Sequence, residues 1–238
     1  EDSVTNGAET FRFSDLIKDK SVDYCLISHA HQDHIGSLNF LVKKFPYIKI
    51  ITTPQTRALA ELTLHNSVSI LKKEIEADDF EFYSHDEVDL LIKMIEYKEY
   101  QNEFELNSYH QQKDAKVNCI FYDAGHILGS SGVLLENKNH KIFYTGDINL
   151  TAQTLLSGAN LPDTKIDTLI LETTYGATDS ELLLDWNSES FRFAEEANKI
   201  LNNGGSILIP VFSLGKMQEI LATIWQLMQK QKLTTVDI

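Results

Sequence analysis

Three histidines and one aspartate fall within six residues near the start of the chain, in the run HAHQDH at residues 29–34. The apolar residues 22–27 before it are typical of a β-strand, and residues 38–45 after it have the spacing of an amphipathic helix. Ligand sites of α/β proteins commonly lie where a strand gives way to a helix. Imidazole and carboxylate suit zinc, and also iron or manganese. Because three histidines have no role in forming an ordinary polar turn, this run predicts a metal site.

The positions within the run suggest how its side chains are arranged. Alternate residues of an extended segment point the same way, so we expect His29 and His31 to lie side by side. Asp33 and His34 come at the turn into the helix, where they can face the same cavity.

Four predicted strands each end next to a residue that could bind or serve a metal. The strands are 22–27, 117–122, 141–144 and 167–171. The residues that follow the last three strands are His126, Asp147 and Glu172. Each of these alone would be an ordinary loop residue. If the four strands share a sheet, their ends meet at one edge, and the Asp147 carboxylate could bridge two cations.

The rest of the chain predicts further α/β structure. Residues 54–116 have mostly helical patterns, including an apolar period from Val88 to Ile95 that Asp86 would cap. A helix over 180–202, a strand over 206–211 and a last helix capped by Ser213 follow. The remaining histidines have no ligand-like neighbours in sequence and are predicted to lie at the surface or in ordinary hydrogen bonds: His65, His85, His110 and His140.

Size and charge bound the class of protein. The 238 residues suffice for one large domain, or one domain plus part of another. The net charge of −14 argues against broad, unaided binding of nucleic acid. No apolar run reaches the ~18 residues of a membrane span and no leader is recognised, so we expect a cytoplasmic protein without membrane association. Cys25 and Cys119 lie in separate apolar runs and are expected to be small core residues.

Several motifs together resemble a known family. The segments HAHQDH, DAGHILGSS, TGDIN and ETTYG are similar to motifs of the metallo-β-lactamase superfamily. The segment GGSILIPVFSLGKMQEIL resembles its β-CASP branch, which includes the pre-mRNA 3′-end-processing endonuclease and bacterial and archaeal relatives. The resemblance implies a four-layer αβ/βα sandwich with the start of an inserted β-CASP α/β domain. The corresponding division is a partial metallo-β-lactamase-like domain at 1–176 and a truncated β-CASP domain from 177 to 238.

The resemblance also implies roles for individual residues. It predicts two zinc ions, with manganese or iron as alternatives. His29, His31 and His126 would hold the first ion, Asp33 and His34 the second, and Asp147 would bridge both. Asp33 would also orient a metal-bound hydroxide, and Glu172 would occupy the first acidic motif of the branch and assist proton transfer near the leaving group.

The function implied is that of a zinc phosphodiesterase that cleaves RNA through this hydroxide. RNA is then the substrate, and a homodimer or subunits of a processing complex are the expected partners. Two alternatives stay open: another hydrolase of the superfamily, acting on a thioester, lactone or small phosphodiester, and a non-catalytic subunit of an RNA-processing complex. Lys216 could contact a phosphate, although an exposed lysine in a first helical turn is the simpler interpretation.

The chain also departs from the pattern of the branch. Two further histidines are expected after the inserted domain, and no histidine follows His140. The sequence is therefore interpreted as a fragment that binds one ion better than two and is inactive alone.

Overall fold

The computed structural model describes residues 22–74, 83–107, 116–179 and 184–237, which contain eight strands and six helices. The strands are β1 (Tyr24–Leu26), β2 (Lys49–Thr52), β3 (Ile95–Tyr97), β4 (Phe104–Asn107), β5 (Lys116–Asp123), β6 (Ser131–Asn137), β7 (His140–Tyr144) and β8 (Thr168–Ile170). The helices are α1 (Gln32–Ile35), α2 (Leu38–Lys44), α3 (Pro54–Glu74), α4 (His85–Met94), α5 (Trp186–Leu201) and α6 (Lys216–Gln229).

The strands form two sheets that pack face to face. Strands β1, β2 and β3 form a parallel sheet in that order. Strands β4 to β8 form a second sheet in sequence order, antiparallel except for the parallel pair β7–β8. Buried Ile51 of the first sheet packs with Cys119, Phe121 and Val133 of the second. This cluster is the core between the sheets.

A larger core lies on the other face of the parallel sheet, where helices α1 to α4 cover it. Ile50 of β2, Leu64 of α3 and Val88 of α4 are among its fully buried members. Helices, parallel sheet and five-stranded sheet account for three of the four predicted layers within the described part of the chain. The predicted α/β class is confirmed, and the layers agree with the αβ/βα sandwich that the resemblance implies.

Helices α5 and α6 share a separate, smaller core. Ala194 and Ala197 of α5 pack there with Ile224 and Leu227 of α6 and with Leu233. This separate core supports the division at residues 176 and 177, which stays a prediction.

The prediction of mostly helical structure over 54–116 is wrong at β3 and β4. Ile95 continues the apolar period of α4, but it pairs with Ile50 of β2, so strand pairing overrides the helical pattern. The N-cap of α4 is Ser84 rather than Asp86, because Ser84 and Glu87 form a reciprocal capping box.

One predicted strand and the starts of two predicted helices also differ from the structure. Residues 206–211 form no strand, because no described strand pairs with them. Helix α5 is capped by Asp185, and residues 180–183 of the predicted helix lie outside the described part. Helix α6 follows Gly215, whose φ of 91° favours glycine, rather than starting at Ser213.

Two expectations from composition concern the whole fold. Within the described residues, no helix is long and apolar enough to cross a membrane. Cys25 and Cys119 are free thiols, and Cys119 of β5 is fully buried in the core between the two sheets, as predicted for a small core residue.

Candidate metal centre

The four strands do not share one sheet, the condition under which their ends were expected to meet, yet their ends do meet. Strand β1 belongs to the parallel sheet, whereas β5, β7 and β8 run in the same direction in the second sheet. The backbone N–H of Ser131, at the start of β6, donates to the carbonyl of Ser28 at 2.7 Å. This bond joins the two sheets at the edge where the chemistry-bearing loops emerge.

Four of the predicted ligands converge there: His29, His31, His126 and Asp147 each place one ligand atom within 4.8 Å of the others. Nδ1 of His31 lies 3.1 Å from Nε2 of His29 and 3.2 Å from Nε2 of His126. Oδ2 of Asp147 lies 3.7 Å from His29 Nε2 and 3.6 Å from His126 Nε2. Three nitrogens and one carboxylate oxygen therefore surround a common point.

These separations match a four-coordinate transition-metal site. Zinc–nitrogen bonds of about 2.0–2.1 Å place the corners of a tetrahedron ~3.3 Å apart. The donor set of three imidazoles and one carboxylate is one that zinc, iron and manganese all accept. The residues present thus fit the metal that the resemblance implies.

Asp147 faces a second group of ligands with its other oxygen. Its Oδ1 lies 3.6 Å from Nε2 of His34, and that nitrogen lies 3.6 Å from Oδ2 of Asp33. Asp147 therefore stands between the two predicted ion positions, as a bridging carboxylate would. The Asp33 side chain is 69% exposed, so this second side of the centre is open to solvent.

Hydrogen bonds outside the centre orient three of its imidazole rings. Nε2 of His31 lies 3.2 Å from the carbonyl oxygen of Leu214, which can only accept, so this nitrogen carries the hydrogen and Nδ1 keeps its lone pair. The hydroxyl of Ser28 lies 3.1 Å from Nδ1 of His29 and 3.3 Å from Nδ1 of His34. With both Nδ1–H groups donating to this hydroxyl, both Nε2 atoms are left as metal donors.

Burial keeps the rings of His29 and His126 neutral. Burial, reinforced by the neighbouring histidines His34, His126 and His31, lowers the pKa of His29 to about 2. Burial and His31 also lower the pKa of His126, against an opposing effect of Asp147 and Glu172. In the neutral form, lone pairs of His29, His31 and His126 point at one another and at the Asp147 carboxylate. That arrangement is repulsive until a cation lies between them.

Replacing Ser28 with alanine is expected to weaken metal binding by about 10–100-fold, because the hydroxyl that orients His29 and His34 is lost. Competition with a chromophoric chelator measures this affinity. Ser37→Ala is the matched control, since the Ser37 side chain makes no capping bond at the start of α2. Equal affinity in the two variants would show that Ser28 does not orient the rings.

Glu172 lies beside the centre but outside the converging group. Its Oε1 accepts from the backbone N–H of Ile148 at 3.2 Å and its Oε2 from that of Thr174 at 3.0 Å. Hydrogen bonds from the Thr174 side chain, and then from these two backbone groups, lower the pKa of Glu172. Glu172 is thus an ionised acceptor that ties the segment after Asp147 to the segment after β8, and its role in proton transfer stays a prediction.

The lowered pKa of Glu172 predicts a dependence of stability on pH. Because the folded-state pKa lies below the ordinary value of 4.5, the ionised group stabilises the fold above pH 4.5 and this contribution is lost as the pH falls through the folded-state pKa. Urea unfolding between pH 6 and 3.5 is expected to show a smaller decline for Glu172→Gln than for the unaltered chain. Glu103→Gln, at an exposed position, serves as control. Parallel declines for all three proteins would contradict the prediction.

Little in the sequence indicates which residues support the metal centre. The carbonyl of Leu214 leaves no signal in a side-chain pattern. Glu219 of α6 is only 2% exposed, and its carboxylate accepts backbone N–H groups of Thr154, Leu155 and Leu156 at 2.9–3.2 Å. A single acid among the apolar residues of α6 was the one available hint. Glu219 thus holds the segment that follows Asp147 against α6.

Comparison with known proteins shows the family to which the chain belongs. Residues 5–174 match the family described as metallo-beta-lactamase superfamily domain. The chain belongs to this superfamily, and its resemblance to the β-CASP RNA-processing branch is confirmed.

Three individual proteins are similar to this chain over most of its length. The chain is 33% identical over 222 residues to an RNase J-like protein of Methanocaldococcus jannaschii, covering 93% of this chain and 48% of that protein. It is 36% identical over 206 residues to a probable RNase, MJ4, of the same organism, covering 85% and 45%. It is 32% identical over 219 residues to cleavage and polyadenylation specificity factor subunit 3 of Dictyostelium discoideum, covering 91% and 27%. The chain spans about half or less of the length of these relatives.

Proposed function

We propose that this chain carries the metal centre of a zinc-dependent ribonuclease. The observation that supports the proposal is the two-sided arrangement around Asp147, with His29 and His126 facing one oxygen and His34 facing the other. A carboxylate placed in this way suits a pair of ions that act on one phosphodiester. The names of the relatives, an RNase J-like protein and a cleavage factor among them, favour RNA as the substrate.

The ligand residues divide between two ions. His29, His31 and His126 would hold the first, Asp33 and His34 would hold the second, and the Asp147 carboxylate would be shared by both. Bound divalent ions lower the pKa of water toward ~7 and neutralise the charge of a phosphoryl group. Manganese and iron suit the same ligands and are alternatives to zinc.

Residues at the open side of the centre move the proton and place the substrate. The exposed carboxylate of Asp33 lies beside His34, where it can orient an attacking water and accept its proton. Glu172, held ionised by Thr174 and Ile148, is placed to orient a proton donor rather than to be one.

Because the chain is negatively charged, the metal ions would also attract the RNA. With a net charge of −14, the surface repels RNA except where cations collect it. Lys216 is already occupied, since its Nζ donates to Gln153 at 2.7 Å and lies 5.2 Å from the centre of the Trp186 ring. The structure therefore supports the simpler interpretation of Lys216 as an exposed lysine in the first turn of α6, and phosphate binding is left to the metal centre.

The proposal is tested by a substrate panel. The full-length protein, stripped with a chelator and reloaded with zinc, is assayed on RNA, a thioester, a lactone and a small phosphodiester. We expect RNA cleavage that disappears on stripping and returns on reloading. Cleavage of the esters without RNA would support another hydrolase of the superfamily, and no turnover with full metal content would support a non-catalytic subunit.

A further inference from the structure

A second cluster of histidines and carboxylates lies between helices α3 and α4, away from the proposed catalytic centre. Glu61 and His65 are one turn apart on α3, and His85 and Asp89 are one turn apart on α4. Residues at positions i and i+4 of a helix share a face. Each helix thus presents one imidazole and one carboxylate to the other, an arrangement absent from the sequence prediction, which gave His65 and His85 no ligand-like neighbours.

The distances bring these groups into ligand range. One atom each of Glu61, His65 and Asp89 lies within 4.8 Å of the others. Nε2 of His65 lies 3.2 Å from Oδ1 of Asp89, and Nδ1 of His65 lies 2.8 Å from Nδ1 of His85. The ring planes of His65 and His85 differ by 19°, with centroids 5.0 Å apart, so the two nitrogens face each other along the ring edges.

The protons at His65 allow two arrangements. A contact between two Nδ1 atoms needs a hydrogen on one of them. If His85 donates it, neutral His65 carries its own hydrogen on Nε2 and donates to Asp89. If neutral His65 donates it, Nε2 of His65 presents a lone pair to the two carboxylates, and this arrangement needs a proton or a metal ion between them.

The carboxylates favour the arrangement with a cation. Among the described residues, no lysine or arginine lies within ion-pair distance of Glu61 or Asp89. A divalent ion held by His65 Nε2, Glu61 and Asp89 would neutralise both charges. His85 would then accept from His65 Nδ1–H and fix its tautomer, in the position that a carboxylate or carbonyl occupies at other ligating imidazoles.

We propose that Glu61, His65 and Asp89 form a structural site for a divalent transition metal of the zinc class, oriented by His85. The ion would cross-link α3 to α4. Ser67, two residues beyond His65 and so about 200° round the helix, donates from its hydroxyl to Gln32 of α1 at 2.7 Å. Helix α3 would thus be fixed on one side by the ion and on the other by the helix that carries Asp33 and His34.

The experiment counts bound zinc by calorimetric titration of Zn²⁺ into the metal-free chain. The titration is repeated in a His29→Ala/Asp147→Ala background, in which the catalytic centre is disabled. In that background we expect one remaining equivalent, which is lost in His65→Gln and in Asp89→Asn. His140→Gln is the matched control, because this exposed histidine on β7 contacts Thr168, far from α3 in the topology.

The result separates a metal site from a hydrogen-bonded contact between helices. If His65→Gln lowers the melting temperature but leaves the zinc count unchanged, the cluster is only such a contact and the proposal is overturned. If the double background does not fold, the same count is made in the otherwise unaltered chain, where His65→Gln must remove one equivalent and His140→Gln none. A failure of the proposed ribonuclease activity would leave this count unaffected.

Discussion

Replacing Asp147 with alanine is expected to abolish RNA cleavage by the full-length protein and to reduce its bound metal. The carboxylate lies within 3.7 Å of His29, His34 and His126, so its loss removes a ligand from both ion positions and leaves the two ions without a bridge. Removing outer partners of metal ligands already costs about 10–100-fold, so the loss of a shared ligand is expected to cost more than ~100-fold in activity. Metal content by mass spectrometry and single-turnover RNA cleavage measure the two effects.

Asp163→Ala is the control for this experiment. Asp163 is an exposed carboxylate in the same connection between β7 and β8. Its replacement is expected to leave activity and metal content unchanged. Full activity of Asp147→Ala with unaltered metal would contradict the assignment of Asp147 as a bridge.

Replacing Glu219 with glutamine is expected to destabilise the chain by about 2–4 kcal/mol. The carboxylate is buried and accepts backbone N–H groups of Thr154, Leu155 and Leu156. A glutamine amide turns an NH₂ group toward these donors and leaves buried N–H groups without an acceptor, each at a cost of ~1–3 kcal/mol. Urea unfolding of the zinc-loaded chain measures the difference.

Glu195→Gln provides the comparison, since Glu195 is exposed on α5. It is expected to change the free energy of unfolding by less than ~0.5 kcal/mol. Similar small effects for both variants would show that the segment after Asp147 is held in place by something other than Glu219.

The local pattern of apolar and turn residues predicted the strands and the helix that carry the metal centre. The strand before His29, the helix after His34 and the strands before His126, Asp147 and Glu172 lie where apolar runs and turn residues indicated. The condition of one shared sheet is not met, because β1 lies in the parallel sheet and the other three strands lie in the second sheet. Residue order carries no record of which face of a sheet packs on another. The ends of these strands still meet, because the two packed sheets place their strand ends at a common edge.

The features that escaped prediction depend on contacts between distant segments. Strands β3 and β4 are short, and the apolar period that runs into Ile95 looks helical until β2 is available as a partner. The Leu214 carbonyl reaches His31 across 183 positions of the chain. Likewise, His65 gains His85 and Asp89 as neighbours only when α3 and α4 pack together.

The most direct test of the metal centre is anomalous diffraction at the zinc edge from crystals of the zinc-loaded chain. We expect a peak about 2.0–2.2 Å from Nε2 of His29, Nδ1 of His31, Nε2 of His126 and Oδ2 of Asp147. A second peak on the other side of Asp147, beside His34 and Asp33, is expected to be weaker, because this chain supplies fewer ligands there. Crystals with zinc bound elsewhere and no peak among His29, His31, His126 and Asp147 would contradict the account.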